Sequence, residues 1–374
     1  MTRTDTGACY TLDALLSDND TMSASAALIP EWWEEQHTQT PFQMERRVTM
    51  RRPLATRPYA GERDLAAIIE LLLAHKAATA QPARPSVADL RAMLSGARPA
   101  ESLATRLWIT LDGALVAFAL LRDRTASTHL SVIIHPQERA SERWLAILDE
   151  MIAWALTHAR ELAWKRNHAI TLMMESLCDD AEFAAQLSAH GFAAQEDASV
   201  WLARTLADGD AIGEVSLPTG YHLRIAGRSE ADQAAYVTLF NEAFAPNPGR
   251  RLTLDQWRVF QAHAGYVPEL DLVIEAPDGS LAGLVRLVSH AEERERLGRR
   301  EGEIAQLGVA PAHRGHGLGR ALLRVGLHAL RESGVALALL RAWDDDRAAQ
   351  RLYTAEGFTP LSRITMYAQT VEGV

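Results

Sequence analysis

The sequence predicts an α/β protein built from two copies of one unit, and three observations lead there. Helical and alternating apolar patterns take turns along the chain rather than segregating into separate halves. The order of elements repeats: Asp112-Gly113 and Asp278-Gly279 stand 166 residues apart, and Gly191-Phe192 and Gly357-Phe358 restore the same offset. Finally, the stretch from Glu303 to Gly334 reads as a short strand, a tight glycine loop and an amphipathic helix.

A chain of 374 residues suits two domains of ordinary size. The composition divides it into a polar extension over 1–48, a first copy over 49–206, a linker over 207–219 and a second copy over 220–374. The extension carries Ser, Thr and Asp clusters and a Trp32-Trp33 pair, read as packing anchors. Its first twenty residues lack the apolar core of a signal peptide, and no apolar run is long enough to span a bilayer. A cytoplasmic location is therefore expected. Two cysteines, Cys9 and Cys178, make neither a disulfide framework nor a metal spacing, so no metal is expected. The formal net charge of -10 argues against a nucleic-acid binder.

In the first copy, ERDLAAIIELLLAHKAA has helical spacing, and PSVADLRAML is a second short helix that Ser86 can cap. LWITLDGALVAFALL is a hairpin turning at Asp112-Gly113. HLSVIIHP is a buried strand, SERWLAILDEMIAWALTHA a helix, AITLMMES a strand, DDAEFAAQLSAHGF a helix and ASVWLARTL a last strand. Three glycines and a proline in LADGDAIGEVSLPTG then mark the linker.

The second copy repeats this order. Its strand runs from Ile304 to Val309, closed by Pro311 and followed by Arg314-Gly315-His316-Gly317-Leu318-Gly319. Three glycines in five residues let the backbone approach a ligand closely, and the following helix points its unpaired amides and positive dipole end at the same place. Such a loop suits a phosphate or pyrophosphate. No acidic residue lies between Glu303 and Glu332, while Arg320, Arg324, His328 and Arg331 follow helical spacing as a basic stripe. The Lys-Ser/Thr pair of a P-loop is missing. Val335 to Arg341 reads as a strand and DDDRAAQRLYTAEGF as the next helix.

R-G-H-G-L-G, followed by a strand and a helix bearing Leu-Tyr and Gly-Phe, resembles the R/Q-x-x-G-x-G/A signature of the GNAT superfamily of acyl-CoA-dependent acyltransferases. The resemblance covers roughly residues 50–371, with the specific motifs in the second copy alone. It implies two tandem GNAT-like domains, each a mixed, mostly antiparallel central sheet flanked by helices. It also implies acetyl-CoA as co-substrate. Arg314, Gly315, His316, Gly317, Leu318, Gly319 and Arg320 would hold its pyrophosphate, and the backbone of Leu307, Gly308 and Val309 would pair with its pantetheine arm. Acyl transfer to an amine needs a base for the ammonium and an acid for the departing thiolate. The family places these where Glu303 and Tyr353 stand here. Asp346 occupies a position where the family usually has Asn, so it is expected either at the CoA or as a helix cap.

The first copy departs from that pattern. Arg139 stands opposite Arg314, but Glu142 replaces Gly317, Trp144 replaces Gly319 and Leu187 replaces Tyr353. A carboxylate repels phosphate and the indole blocks close approach of the backbone, so this copy reads as degenerate, with a structural or substrate-shaping role. A degenerate first half before an active second half resembles the mycothiol synthases, which acetylate the cysteinyl amine of a pseudodisaccharide. The expected activity is transfer of an acetyl group to a primary amine of a small molecule by direct attack. A protein N-terminus or lysine as acceptor, or a non-catalytic acyl-CoA sensor, remain the alternatives.

Overall fold

A computed structural model of the chain describes residues 54–79, 85–94, 102–123, 127–207, 209, 211–245, 251–262 and 266–373. Residues 1–48, with Cys9 and Trp32-Trp33, lie outside them, as do Asp208 and Asp210 of the expected linker.

The elements follow the expected order. The first half comprises β1 (Ala55–Arg57), α1 (Glu62–Ala77), α2 (Val87–Leu94), β2 (Ser102–Ile109), β3 (Leu115–Asp123), β4 (Thr128–Ile134), α3 (Trp144–Arg166), β5 (Ile170–Leu177), α4 (Ala181–Ala189) and β6 (Ala193–Thr205). The second comprises β7 (His222–Ile225), α5 (Glu230–Ala243), α6 (Leu254–Ala262), β8 (Asp271–Glu275), β9 (Leu281–Val288), α7 (Ala291–Leu297), β10 (Glu301–Val309), α8 (Leu318–Glu332), β11 (Leu337–Trp343), α9 (Arg347–Ala355) and β12 (Thr359–Val371). Local chemistry accounts for the boundaries. Ser86 accepts from the Asp89 amide at 3.0 Å while the Asp89 carboxylate accepts from the Ser86 amide at 3.1 Å, a reciprocal cap on α2. Gly113 and Gly279 turn their hairpins at φ 90° and 83°, conformations a side chain rarely adopts.

All twelve strands form one sheet, in the order β1-β2-β3-β4-β5-β12-β6-β11-β10-β9-β8-β7. Only β4–β5 and β10–β11 pair in parallel; every other neighbour is antiparallel. Exchanging β1–β6 for β7–β12 returns the same strand order, so the duplication in the sequence is a two-fold symmetry of the fold. The halves also exchange their last strands. β6 pairs with β11 of the second half, and β12 lies between β5 and β6. Neither half therefore closes its sheet alone.

Two helical layers cover each half. In the second, α8 lies on one face and buries Leu322, Leu323, Leu327 and Leu330 completely against Leu287, Ile304 and Leu340, each contributing about 1.5–3 kcal/mol. Gly326 permits that approach: a Cβ there would sit 3.1 Å from a methyl of Leu287. On the opposite face α5 and α6 pack Tyr236, Phe240 and Trp257 on Val273 and Leu284, with Tyr236 and Trp257 stacked 3.9 Å apart. The first half repeats this with α3 on one face and α1 and α2 on the other. Among the described residues, one helix of the second half breaks the symmetry. β9 and β10 are joined through α7, whereas β3 and β4 are joined by residues 124–127 alone.

Candidate functional site

The site begins where two parallel strands part. β10 pairs with β11 only from Glu301 to Ile304, while on its other side it stays with β9 as far as Val309. A register shift between Ile304 and Gln306 bends it away. Leu307, Gly308 and Val309 thus turn one backbone edge toward the opening between β10 and β11. A Cβ on Gly308 would lie 3.0 Å from Ala243 and Phe244, so only glycine lets the strand run this close to the end of α5.

The chain then turns through Pro311–His313 into the glycine loop. Arg314 clamps that turn, donating from Nε to the Val309 carbonyl at 3.2 Å and from Nη2 to the Ala243 carbonyl at 3.1 Å. His316 folds back, its Nδ1 lying 2.9 Å from the Arg314 carbonyl. Gly315 and Gly317 adopt φ 80° and 79°, and a Cβ on either would meet nothing within 4 Å. Their role is conformational, and the surface of the loop is open. α8 starts at Leu318, so Leu318 and Gly319 belong to its first turn rather than to the loop. Gly317 is its N-cap without a side-chain cap, and no acidic residue enters the first turn. The amides of Leu318, Gly319 and Arg320 are those that an α-helix leaves without intrahelical acceptors. This cradle fits a phosphate group.

Members of the basic stripe are held by neighbouring acceptors. Glu356, only 6% exposed, takes Arg320 Nε at 3.1 Å and Arg324 Nη2 at 2.8 Å. Arg324 also holds the Glu214 carbonyl at 2.9 Å, tying the 211–219 segment to α8. The Glu356 hydrogen bond raises the Arg324 guanidinium above its ordinary value. Arg331 lies 3.2 Å from His328 Nδ1. Of the stripe, Arg320 alone stands in the first turn beside the loop.

Asp346 caps α9, accepting from the Ala349 amide at 2.9 Å, and Asp344 pairs with Arg363. Tyr353 is buried on α9, edge-on to Phe358, in the core that contains Leu340 and Ala342. Glu303 is the third residue of β10 rather than its first, because the strand extends back to Glu301. It lies buried on the other face of the sheet, where a cavity of about 20 Å³, hereafter the Glu303 cleft, is shared with Leu339 and Trp201. Alternate residues of a strand face opposite ways, so Tyr353 and Glu303 approach the opening between β10 and β11 from opposite sides.

The Glu303 cleft also holds residues that sequence reasoning missed. It is lined by Lys76 and Ser86 from the first half and by His290, Glu293, Arg299 and Glu301 from the second. Glu293 accepts from Lys76 Nζ at 3.2 Å and from the Val87 amide at 2.9 Å. Arg299 donates to the Lys76 carbonyl at 2.8 Å, at the end of α1, and to Glu301 at 2.7 Å. Burial pushes the Lys76 ammonium below its ordinary value, against the opposing pull of Glu293. Burial would raise Glu293, but Lys76, His290 and the Val87 amide outweigh it and hold it below the usual glutamate range. Further along the same side, buried Asp271 accepts from Tyr236 at 3.2 Å and Tyr266 at 3.0 Å, and burial raises its carboxyl to about 6.

The equivalent place in the first half is filled. The Arg139 guanidinium lies 3.4 Å over the Trp144 ring and pairs with Asp180 at 2.5 Å. Leu187, which replaces Tyr353, is completely buried. Cation, indole and carboxylate thus pack together beside the turn that answers to the glycine loop.

Residues 235–358 match the acetyltransferase (GNAT) family. A mycothiol acetyltransferase of Thermomonospora curvata is 30% identical over 261 residues, which span 68% of this chain and 79% of the relative. The chain belongs to the GNAT family of acetyltransferases. A second mycothiol acetyltransferase, from Nocardiopsis dassonvillei, is 28% identical over 277 residues, 69% of this chain and 79% of its own. Two solved GNAT structures share the fold along most of the chain. A tandem GNAT protein from the clavulanic acid biosynthesis pathway superposes with TM-score 0.65 at 20% identity, covering 86% of this chain and 99% of its own. A GCN5-related N-acetyltransferase from Sphaerobacter thermophilus gives 0.64 at 20%, covering 86% and 97%. The protein is thus an acetyltransferase with two tandem GNAT units. No helix among the described residues is long and apolar enough to cross a membrane.

Proposed function

We propose that the second copy transfers an acetyl group from acetyl-CoA to a primary amine of a small molecule. One observation carries this reading: β10 and β11 part beside an open glycine loop that leads into an uncapped, acid-free helix N-terminus. In this reading the amides from Gly315 to Arg320 hold the pyrophosphate and the free edge of Leu307–Val309 pairs with the pantetheine arm. Arg314 shapes the loop through its two carbonyl contacts, and Asp346 serves α9 as a cap rather than touching the CoA.

Glu303 takes a proton from the acceptor ammonium, directly or through water. The freed lone pair forms the C–N bond as the C–S bond breaks, Tyr353 protonates the departing thiolate, and the second proton on the nitrogen passes to solvent to leave a neutral amide. The two groups approach from opposite faces of the sheet, so the base serves the amine and the acid serves the sulfur without competing for one place. In this reading the acceptor amine reaches Glu303 at the small cavity between the halves, about 20 Å³ in this structure, where Lys76 and Ser86 stand across from Glu303. This gives the first copy, over 49–206, its role: it walls the acceptor site without binding CoA. Similarity to mycothiol acetyltransferases over most of their length makes an aminoacylated sugar the first acceptor to test.

The test is thiol release from acetyl-CoA with a panel comprising a cysteinyl pseudodisaccharide, polyamines, aminoglycosides and peptides, with products read by mass spectrometry. An acetylated small amine is expected. Acetylation of peptides alone, or binding of acetyl-CoA without turnover on any amine, would overturn the reading.

A further inference from the structure

The helix α7 has no counterpart among the described residues of the first half, and it joins the two halves. Glu292 reaches Arg91 at 3.0 Å and Arg296 reaches Glu70 at 2.7 Å, both near the surface. Between them Glu293 turns inward to Lys76 and the first amide of α2. The N-cap of α7 is His290, at φ 32° and ψ 50°, one of two non-glycine residues at positive φ among the described residues. A left-handed histidine costs about 1–2 kcal/mol, and such strain persists where the surroundings require a side chain at that spot. The spot lies between two carboxylates: His290 Nε2 is 3.8 Å from Glu303, and Nδ1 is 4.0 Å from Glu293. The imidazole is 14% exposed and the two carboxylates 6% each.

We propose that His290 is a positioning residue for Glu303, linking the base to the first copy through Glu293 and Lys76. The assignment rests on Glu303 acting as base. An imidazolium at these distances fixes the orientation of the Glu303 carboxylate and favours its ionised form. The other charged groups around it are Lys76 on α1, Asp89 on α2, and Arg299 and Glu301 leading into β10. Arg299 pairs with Glu301 at 2.7 Å and Lys76 with Glu293 at 3.2 Å, while His290 lies within ion-pair reach of Glu303 at 3.8 Å. This relation gives the degenerate half a chemical role besides forming a wall. Its α1 and α2 hold Glu293, Glu293 faces His290, and His290 sets the base.

The test compares His290→Asn, Glu303→Gln and the double variant in the full chain. Asparagine tolerates the left-handed backbone, so it removes the cation without adding strain. Its kcat/KM is expected to fall about tenfold at pH 7, with the acidic limb of the kcat/KM profile moved to higher pH. The acetyl-CoA KM should stay at the parent value. His290→Gly, which relaxes the backbone, should regain activity with added imidazole. The double variant should be no slower than Glu303→Gln alone. If Glu303→Gln is inactive while the pH profile of His290→Asn superimposes on the parent, the His290 assignment is wrong and the base stands. If Glu303→Gln keeps parental kcat/KM, the base reading fails and takes this inference with it.

Discussion

Replacing Lys76 by Met should cost this protein more stability than any surface ion pair could. The Lys76 and Glu293 side chains are 8% and 6% exposed, and their 3.2 Å contact crosses from one half of the molecule to the other. Met fills most of the lysine volume but leaves the Glu293 carboxylate buried with only the Val87 amide and a neighbouring imidazole. Removing one partner of a buried pair costs about 3–5 kcal/mol. At about 2.1 cal/mol/K per residue, a chain of 374 residues loses roughly 4–6 °C of Tm for that cost. Adding Glu293→Gln removes the stranded charge, so the double variant should regain about 2 kcal/mol relative to the sum of the single changes. Thermal and urea unfolding of the four proteins give the cycle. The pH dependence follows from the sign of the Glu293 shift. Its folded value is depressed, so its contribution is present above the ordinary value of 4.5 and is lost as the pH falls through the folded value. The gap between parent and Lys76→Met should therefore narrow in acid. A single variant within 1 kcal/mol of the parent, or strict additivity in the double, would refute the buried lock between the halves.

Three further outcomes are expected. Tyr353→Phe keeps the ring packed on Phe358 and removes the proton donor, so kcat should fall by ~10²–10⁴ with acetyl-CoA affinity unchanged; turnover within a factor of two of the parent would make Tyr353 a packing residue. Asp271 has its folded value raised from 3.8 to about 6, so it binds more protons folded than unfolded, and stability should decline by on the order of 3 kcal/mol as the pH rises through that window. Asp271→Asn should flatten that slope in urea titrations at successive pH values, and an unaltered slope would place its origin elsewhere. Deleting residues 1–206 removes β5 and β6, the two strands that flank β12, and frees one edge of β11. The 207–374 fragment should be insoluble, and a soluble, fully active fragment would contradict the shared sheet.

Much of this architecture is legible in the sequence because it is local. Hairpins at Asp112-Gly113 and Asp278-Gly279, the glycine loop after Val309 and the repeat offset all depend on neighbours in the chain. The exchange of β6 and β12 is not legible, since alternation along ASVWLARTL shows which face is buried but not which strand lies alongside. The fate of the basic stripe is hidden for a similar reason. Arg320 and Arg324 follow helical spacing, yet Glu356, which captures both, reads as one more carboxylate beside Gly357-Phe358. Least visible is the cleft. AEERERL reads as a polar surface helix, and only the fold shows Glu293 turned inward to a lysine 217 positions earlier. A composite site made by two halves leaves no motif in either one.

The central claim is that acetyl-CoA binds once per chain, at the loop from Arg314 to Arg320. Titration calorimetry on the parent and on Gly317→Glu tests it most directly. The substituted residue copies Glu142 of the first half, and a Cβ there meets nothing within 4 Å. The left-handed backbone costs only about 1–2 kcal/mol, so folding should persist, as circular dichroism can verify. A stoichiometry of one for the parent and no measurable heat for Gly317→Glu is the expected result. Two molecules per chain, or unchanged affinity in the folded variant, would contradict the account.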